Sequence, residues 1–218
     1  MRQDARMRLD HVSYATKPAH LADTVQRLGA ELGASFSDGG LHPRFGTRNF
    51  VLALGDGTYL EVVAALEHPA ADKEPFGQAV KARADEGGGW LGWVVSVPDL
   101  APVEARLGRS GVPGNRHRPD GVDLRWRQIG VTDLMADPQL PFFIQWLVGP
   151  QHHPSAGGRP DLRLERMEIS GDPSTVASWL GEPSAHPLEG IEVDWVDGDE
   201  PGVVAVHVTS ANGTVRLD

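Results

Sequence analysis

Hydrophobic and polar positions alternate along the first third of the chain in a pattern that predicts a strand, a helix and a hairpin. Residues 8–15, RLDHVSYA, alternate and include β-branched and aromatic side chains, which is typical of a half-buried strand. Residues 19–32 carry leucine and valine at helical spacing, and Gly33 stands where a helix C-cap is expected. The runs 49–54 and 58–66, joined by a Gly-Asp-Gly turn, predict a β-hairpin.

Much of this order recurs about 80 residues further along, which indicates an internal repeat. Residues 90–97 predict a strand, residues 100–107 predict an amphipathic helix, and the runs 122–131 and 141–148 predict the later strands. Because each unit of this kind exposes an apolar sheet face that another copy can cover, we expect the two units to pack together.

The pattern begins a third time near the C-terminus. Residues 149–160 are rich in Gly and Pro, and are interpreted as a linker between two compact parts. A strand is predicted at 162–169 and a helix at 173–180, with Asp172 as its N-cap, and three short strands follow. This segment is therefore expected to form a smaller third unit of the same kind.

The expected fold class is α+β, with tandem βαβββ units that form an open, curled mixed β-sheet barrel and a third, smaller C-terminal βαβββ-like unit. The predicted boundaries are 7–148 for the paired units, 149–160 for the linker and 161–218 for the C-terminal half-domain.

Composition excludes several classes of function. The 218 residues include 20 Lys plus Arg against 30 Asp plus Glu, a formal net charge of −10, so the chain repels phosphate backbones and anionic membranes. Nucleic acid and membrane partners are not expected. No cysteine is present, which excludes disulfides, thiolate metal sites and cysteine nucleophiles. No apolar run reaches the roughly 18 residues of a spanning helix, so a cytoplasmic location is expected by default.

Four segments, in order and spacing, carry a resemblance to a known family. They are LDHVSYAT (9–16), LHPRFGTRN (41–49), ALGDGTYLEVVA (53–64) and LPFFIQW (140–146). Together they resemble the glyoxalase-like domain proteins of the vicinal oxygen chelate superfamily. The resemblance implies that two βαβββ units pack side by side and curl around a metal, whose ligands come from the first and last strands of the units.

By position, the resemblance makes His11 the first-strand metal ligand, Glu61 the last-strand ligand of the first unit, and Gln145 its counterpart in the second unit. The fourth position falls at Leu91 or Gly92, neither of which can ligate a metal, so the chain departs from the family pattern there. Imidazole, carboxylate and amide donors suit Zn, Fe, Mn, Ni or Mg. No nucleotide cofactor is expected, because phosphate loops and dinucleotide-binding turns are absent.

Glu61 has a second interpretation that needs no metal. It lies in an otherwise apolar run, and a buried carboxylate needs a cation, hydrogen-bond donors or water to be tolerated. As a catalytic general base, its pKa would be raised by burial toward the working range. His11 is equally consistent with a hydrogen-bonded core residue.

Loop and strand residues supply the candidate contacts to substrate. The polar loop before residue 50 resembles a cavity rim, and tryptophans would line the wall. The candidate substrate-binding residues are His42, Arg48, Asn49, Trp93, Arg127 and Trp146. If Arg127 faces the cavity, an anionic or carbonyl-bearing substrate is favoured; otherwise it guards a strand edge. His152 and His153 are expected to be solvated, since neither has a partner at helical or hairpin spacing.

Three functions remain open. The first is a lyase, isomerase or dioxygenase that acts on an oxygen-bearing small molecule, with a metal that stabilises a developing oxyanion. The second is a binding protein of the drug-resistance type, which the missing fourth ligand and the tryptophans favour. The third is a role in assembly, in which the C-terminal unit forms an interface with a partner or with a second copy of the chain, as in a homodimer.

Overall fold

The structure, a computed structural model, describes residues 7–181, 188–211 and 213–218. Eight strands form a barrel, four form a second sheet, and six α-helices are found in the described part of the chain. The barrel strands are β1 (Arg8–Ala15), β2 (Ser37–His42), β3 (Thr47–Ala53), β4 (Tyr59–Ala65), β5 (Gly89–Ser96), β6 (Val112–His117), β7 (Asp123–Ile129) and β8 (Phe142–Trp146). The second sheet contains β9 (Arg163–Ser170), β10 (Glu192–Val196), β11 (Gly202–Ser210) and β12 (Gly213–Leu217). The helices are α1 (Leu21–Leu32), α2 (Pro69–Lys73), α3 (Pro75–Asp85), α4 (Ala101–Leu107), α5 (Val131–Ala136) and α6 (Pro173–Leu180).

Capping geometry confirms the predicted caps Gly33 and Asp172 and identifies a further one at Gly108. Gly33 ends α1 with φ 60°, and Gly108 ends α4 with φ 65°, a left-handed conformation that glycine adopts without steric cost. The Asp172 side chain accepts hydrogen bonds from the backbone N–H groups of Ser174 and Thr175, which fixes the start of α6.

The barrel is built from two units with the same topology, which confirms the predicted fold class. Its strand order is β1-β4-β3-β2-β6-β7-β8-β5, so the first and last strands of each unit lie side by side and run parallel. The units join through an antiparallel β1–β5 pair. The sheet that was expected to be open closes at β2 and β6 through the single residue pair Leu41–His117.

The C-terminal unit has the predicted succession of strand, helix and three strands, but a different sheet order, β10-β9-β11-β12. Here the parallel neighbour of the first strand is the second strand, because α6 makes a short crossover between β9 and β10. The apolar face of this sheet packs on the outside of the barrel, mainly where β11 lies against β5.

Trp93 lies fully buried in the core that joins the barrel to the second sheet. It packs in the same cluster as Phe143 of the barrel and Met167 and Val206 of the second sheet. Its indole N–H donates a hydrogen bond to the backbone oxygen of Gln139 at 2.9 Å. No helix within the described ranges is long and apolar enough to cross a membrane.

Two helices that the sequence pattern did not reveal fill the remaining side of the barrel. Phe76 and Val80 of α3 and Leu134 of α5 form a second apolar cluster with inward-facing residues of the barrel strands, among them Trp126. Because this packing closes off part of the barrel interior, the free interior is reduced to a small cavity.

Replacing Trp93 with alanine is expected to lower the free energy of unfolding by about 3–5 kcal/mol, because a fully buried indole leaves a large cavity. Urea unfolding followed by far-ultraviolet circular dichroism measures the change. Leu147→Ala serves as the control: Leu147 is 54% exposed, and its loss should change stability by about 0.5 kcal/mol or less. Equal effects of the two substitutions would contradict the position assigned to Trp93.

Candidate functional site

A cavity of about 30 Å³ lies inside the barrel, with room for about two water-sized groups. Its polar wall is formed by His11, His42, Glu61, Arg116 and Gln128. Its aromatic wall is formed by Phe45, Tyr59, Phe76, Trp126, Phe142 and Trp146. The cavity therefore combines several ionisable side chains with a largely apolar surround, which is the usual character of a small-molecule site.

A β-bulge in β1 brings two consecutive side chains into the same buried place. Leu9 pairs with Val95 and His11 with Val94, so Asp10 is the extra residue of the bulge. Neighbouring residues of a regular strand point to opposite faces, whereas here Asp10 and His11 are 1% and 4% exposed and hydrogen-bonded to each other. His11 Nδ1 lies 2.7 Å from Asp10 Oδ1.

The Asp10 carboxylate also holds two side chains from the C-terminal side of the barrel. Trp146 Nε1 donates to Asp10 Oδ2 at 2.9 Å, and His153 Nε2 lies 3.1 Å from the same oxygen. Burial by itself would raise the pKa of Asp10, but the hydrogen bonds with His11 and His153 outweigh it and hold that pKa well below its usual range. Asp10 is therefore an anion at neutral pH.

The expectation that His153 is solvated is wrong. Its side chain is 17% exposed, and its ring contacts Trp146 with centroids 5.1 Å apart. The reason is that residues 149–160, interpreted as a linker, fold back onto the barrel, where Arg159 forms a β-bridge with Leu54.

Glu61 is buried and fully hydrogen-bonded. Ser13 Oγ donates to Glu61 Oε2 and Asn49 Nδ2 to Glu61 Oε1, both at 2.5 Å. The prediction that the pKa of Glu61 lies above its ordinary value is wrong in sign. Burial alone would raise this pKa, but His11, His42 and the two hydrogen bonds together lower it below its ordinary value. Glu61 is thus an anion in the folded protein.

The structure brings His11 and Glu61 together. His11 Nε2 lies 3.7 Å from Glu61 Oε2, and the imidazole stacks on Tyr59 with ring centroids 4.4 Å apart. Because an anionic Asp10 accepts at Nδ1, the neutral imidazole carries its proton there and leaves the Nε2 lone pair available. Nε2 can then accept a proton beside the Glu61 carboxylate, which stabilises the resulting imidazolium.

His42 also lines the cavity, and it stays neutral. Its Nδ1 lies 2.8 Å from Thr47 Oγ1, and the ring meets Trp126 edge-on. Burial, the largest cause, lowers the pKa of His42 to about 3, against an opposing effect of Glu61. Asn49 and Trp146, also predicted to contact substrate, lie at the site as the partners of Glu61 and Asp10.

Gln145 lies outside the cavity, contrary to its predicted position as a ligand. Its amide donates to the backbone oxygen of Pro98 at 3.0 Å and accepts from Leu100 N–H at 3.3 Å. Phe142, Ile144 and Trp146 face the cavity, so by the alternation of a strand the residues between them face outward.

Arg48, Arg127 and Trp93 also lie away from the cavity. Arg48 pairs with Asp38 at 2.8 Å, and Arg127 pairs with Glu104 of α4 at 2.5 Å on the outer side of the barrel. Trp93 belongs to the core between the barrel and the second sheet.

Sequence reasoning missed Arg116 and Gln128. Arg116 belongs to β6, whose sequence VPGNRH has too few apolar residues to show a strand period. Gln128 accepts a hydrogen bond from Trp126 Nε1 at 2.7 Å. The internal repeat was the available signal, since it requires an additional strand between residues 107 and 122.

The donors that face the cavity do not complete a site for the divalent metal that the resemblance implies. Of the predicted ligands only His11 and Glu61 face it, and both oxygens of Glu61 already accept hydrogen bonds. At Gly92 an added Cβ would lie 2.7 Å from Leu134 Cδ1, so packing fills that position. Within the described ranges, no three His, Cys, Asp or Glu side chains are grouped to hold a metal ion.

Comparisons with known proteins give a family match and several distantly similar structures. A family profile described as "Glyoxalase-like domain" matches residues 9–183. Among solved structures, a hypothetical protein from Staphylococcus aureus has a TM-score of 0.70 at 15% identity, covering 97% of this chain and 99% of that one. Methylmalonyl-CoA epimerase from Mycobacterium tuberculosis has a TM-score of 0.46 at 18% identity, covering 67% and 91%. No curated protein matches the chain.

His42 is expected to make the protein less stable as the pH falls from 6.5. The unfolded chain takes up a proton on this residue near pH 6.5, whereas the folded protein resists protonation until about pH 3. Stability therefore decreases on acidification, by up to about 1.4 kcal/mol per pH unit for one proton. Urea unfolding of His42→Gln and the unchanged protein between pH 8 and 5 measures the difference.

The region above pH 7 is the internal control, because there the two proteins should show the same pH dependence. The carboxylates of Asp10 and Glu61 affect stability in a lower pH range. Because their pKa values are lowered by folding, they add stability above about pH 4.5 that is lost at lower pH. Identical slopes for the two proteins from pH 6.5 to 5 would show that His42 is not held neutral.

Proposed function

Because the chain belongs to the glyoxalase-like domain family, we propose that it is a small-molecule enzyme of the lyase or isomerase type that transfers a proton at a carbon next to a carbonyl group. The observation that supports this proposal is the arrangement of His11, held by Asp10 at Nδ1 and placed 3.7 Å from Glu61 at Nε2. An imidazole oriented by one carboxylate and adjacent to another is suited to general acid–base catalysis.

Each residue has a separate part in the proposed reaction. His11 Nε2 accepts the proton from the substrate carbon, and the anionic Glu61 stabilises the imidazolium that forms. His11 then returns the proton on the same face of the substrate, at a different atom. Asp10 holds the ring so that Nε2 stays directed into the cavity, which makes it a positioning residue. The Tyr59 hydroxyl stays protonated, because burial raises its pKa well above the usual value.

The cavity wall supports the rest of the proposal. Its aromatic surfaces exclude water from the reacting carbon, which strengthens electrostatic interactions within the site. His42, neutral by burial, can hydrogen-bond a substrate oxygen without altering the charge of the site.

A second candidate is a protein that binds a small hydrophobic molecule without turnover. Six aromatic side chains on the cavity wall favour this alternative. It differs from the enzyme in one measurable respect: a binder needs no proton acceptor, so substitution of His11 would weaken affinity at most.

Isotope exchange tests the proposed function directly. We expect the protein in D₂O to catalyse deuterium incorporation at the α-carbon of members of a panel of pyruvate, phenylpyruvate and hydroxyacetone, followed by nuclear magnetic resonance. His11→Gln and Glu61→Gln should each reduce the exchange rate by about 100-fold or more, because they remove the proton acceptor and the anion that stabilises it. His20→Gln, an exposed histidine, is the matched control and should exchange normally.

Metal removal is a second arm of the same experiment. Dialysis against a chelator should leave exchange unchanged, since the proposed proton transfer uses side chains alone. Quenching of tryptophan fluorescence by the panel without any exchange would contradict the enzyme and support the binding protein. Loss of exchange on chelation, restored by added metal, would assign the proton transfer to a metal-dependent mechanism.

A further inference from the structure

We propose that Arg116 makes the barrel cavity and the pocket next to it a site for a small molecule that carries a carboxylate or phosphate group. The inference rests on the proposed function, since it assumes that the cavity is the substrate site, and it adds the chemical class of the substrate. Arg116 is 4% exposed and lines the cavity together with His11 and Glu61.

The guanidinium of Arg116 has no partner in the described part of the chain. Its Nε is buried without a hydrogen bond, and no described carboxylate lies within ion-pair distance of the group. Glu61 acts on Arg116 only through space, because the carboxylate is already held by Ser13 and Asn49. A guanidinium stays charged in proteins, so this is a buried, unpaired cation.

An unpaired buried charge is costly, and proteins seldom retain one unless something else compensates it. The planar guanidinium offers its N–H groups in a geometry that matches the two oxygens of a carboxylate or phosphate. An anionic ligand would therefore satisfy the group that the protein leaves unsatisfied. The formal net charge of −10 works against general attraction of anions, so binding would depend on this local feature.

The neighbouring pocket supports the same conclusion. It measures about 280 Å³, and Arg116 lines both it and the barrel cavity, so this residue is shared by the two spaces. Arg118 and Arg159 line the pocket as well, each paired with a neighbouring aspartate. His153, which holds Asp10, forms part of the pocket wall. A ligand with its anionic group at Arg116 could thus extend its body into the larger pocket and present its reacting carbon to the cavity.

A set of probes of matched shape tests the charge requirement. Benzoate and phenyl phosphate carry the proposed group, and benzamide is the neutral counterpart of benzoate. Isothermal titration calorimetry should give an affinity for at least one of the two anions about tenfold or more above that for benzamide, as expected for a charge-assisted pair. The anion that binds more tightly identifies which of the two oxyanion groups the site prefers.

Variants assign the preference to one residue. In Arg116→Met the anions should bind no better than benzamide, and Arg116→Lys should retain part of the preference because it keeps the charge. Arg125→Met, which removes an exposed arginine from the adjacent strand β7, is the matched control and should bind as the unchanged protein does. Binding of both benzoate and phenyl phosphate no tighter than that of benzamide, or a preference that survives in Arg116→Met, would overturn the proposal.

Thermal unfolding separates a ligand-binding role from a structural one. Without ligand, Arg116→Met should unfold at a higher temperature than the unchanged protein, because it removes an uncompensated buried charge. If Arg116 were instead a structural residue, the midpoint would fall, which would count against the proposal. His11→Gln distinguishes this inference from the proposed function: anion preference should persist there, so missing isotope exchange would reject the proton transfer alone.

Discussion

The site depends on one local distortion, the bulge that inserts Asp10 into β1. In a regular strand Leu9, His11 and Ser13 would share a face, and Asp10 would point away from its neighbour. The extra residue lets Asp10 and His11 be buried together and leaves Leu9 and Val12 in the outer core. The Asp10 carboxylate then bonds to His11, Trp146 and His153, so a single acid connects β1, β8 and the segment that follows β8. Removing this acid would disconnect three parts of the chain at one end of the barrel.

The buried acids of the barrel stay charged because hydrogen bonds and neighbouring histidines together outweigh desolvation. Asp10 and Glu61 are both buried anions, and each accepts hydrogen bonds that lower its pKa in spite of desolvation. His42 responds in the opposite way: burial is its largest influence, and the ring stays neutral. Two buried acids therefore remain charged beside a neutral histidine. Asp10 and Glu61 can stabilise a positive charge, whereas His42 can contact an oxygen atom without adding charge.

Much of the fold could be predicted from the sequence, and the reason is periodicity. Three of the predicted features depend only on residues that are close in sequence. They are the alternation in β1 and β4, the helical spacing in α1 and the N-cap Asp172 of α6. The facing of β8 could not be predicted in this way, because FFIQW has bulky apolar residues on both faces and Gln145 as its single polar residue. Gln145 was placed in the cavity by its position in the family resemblance instead. A local sequence pattern cannot predict features that depend on contacts between distant segments. The bulge at Asp10, the burial of Arg116 and the contact of His153 with the barrel are features of this kind.

The C-terminal sheet contributes to the site although none of its strands lines the cavity within the described ranges. Leu9 and Val12 face away from the cavity and pack in one core with Met167 and Val206 of that sheet. These two residues flank the bulge, so the core that the barrel shares with the second sheet lies behind β1 where the strand is least regular. A bulge loses some of its pairing with the neighbouring strand, and packing on the opposite face compensates for that loss. The third unit therefore covers the outer face of the strand that carries His11, the residue proposed as proton acceptor in the barrel cavity.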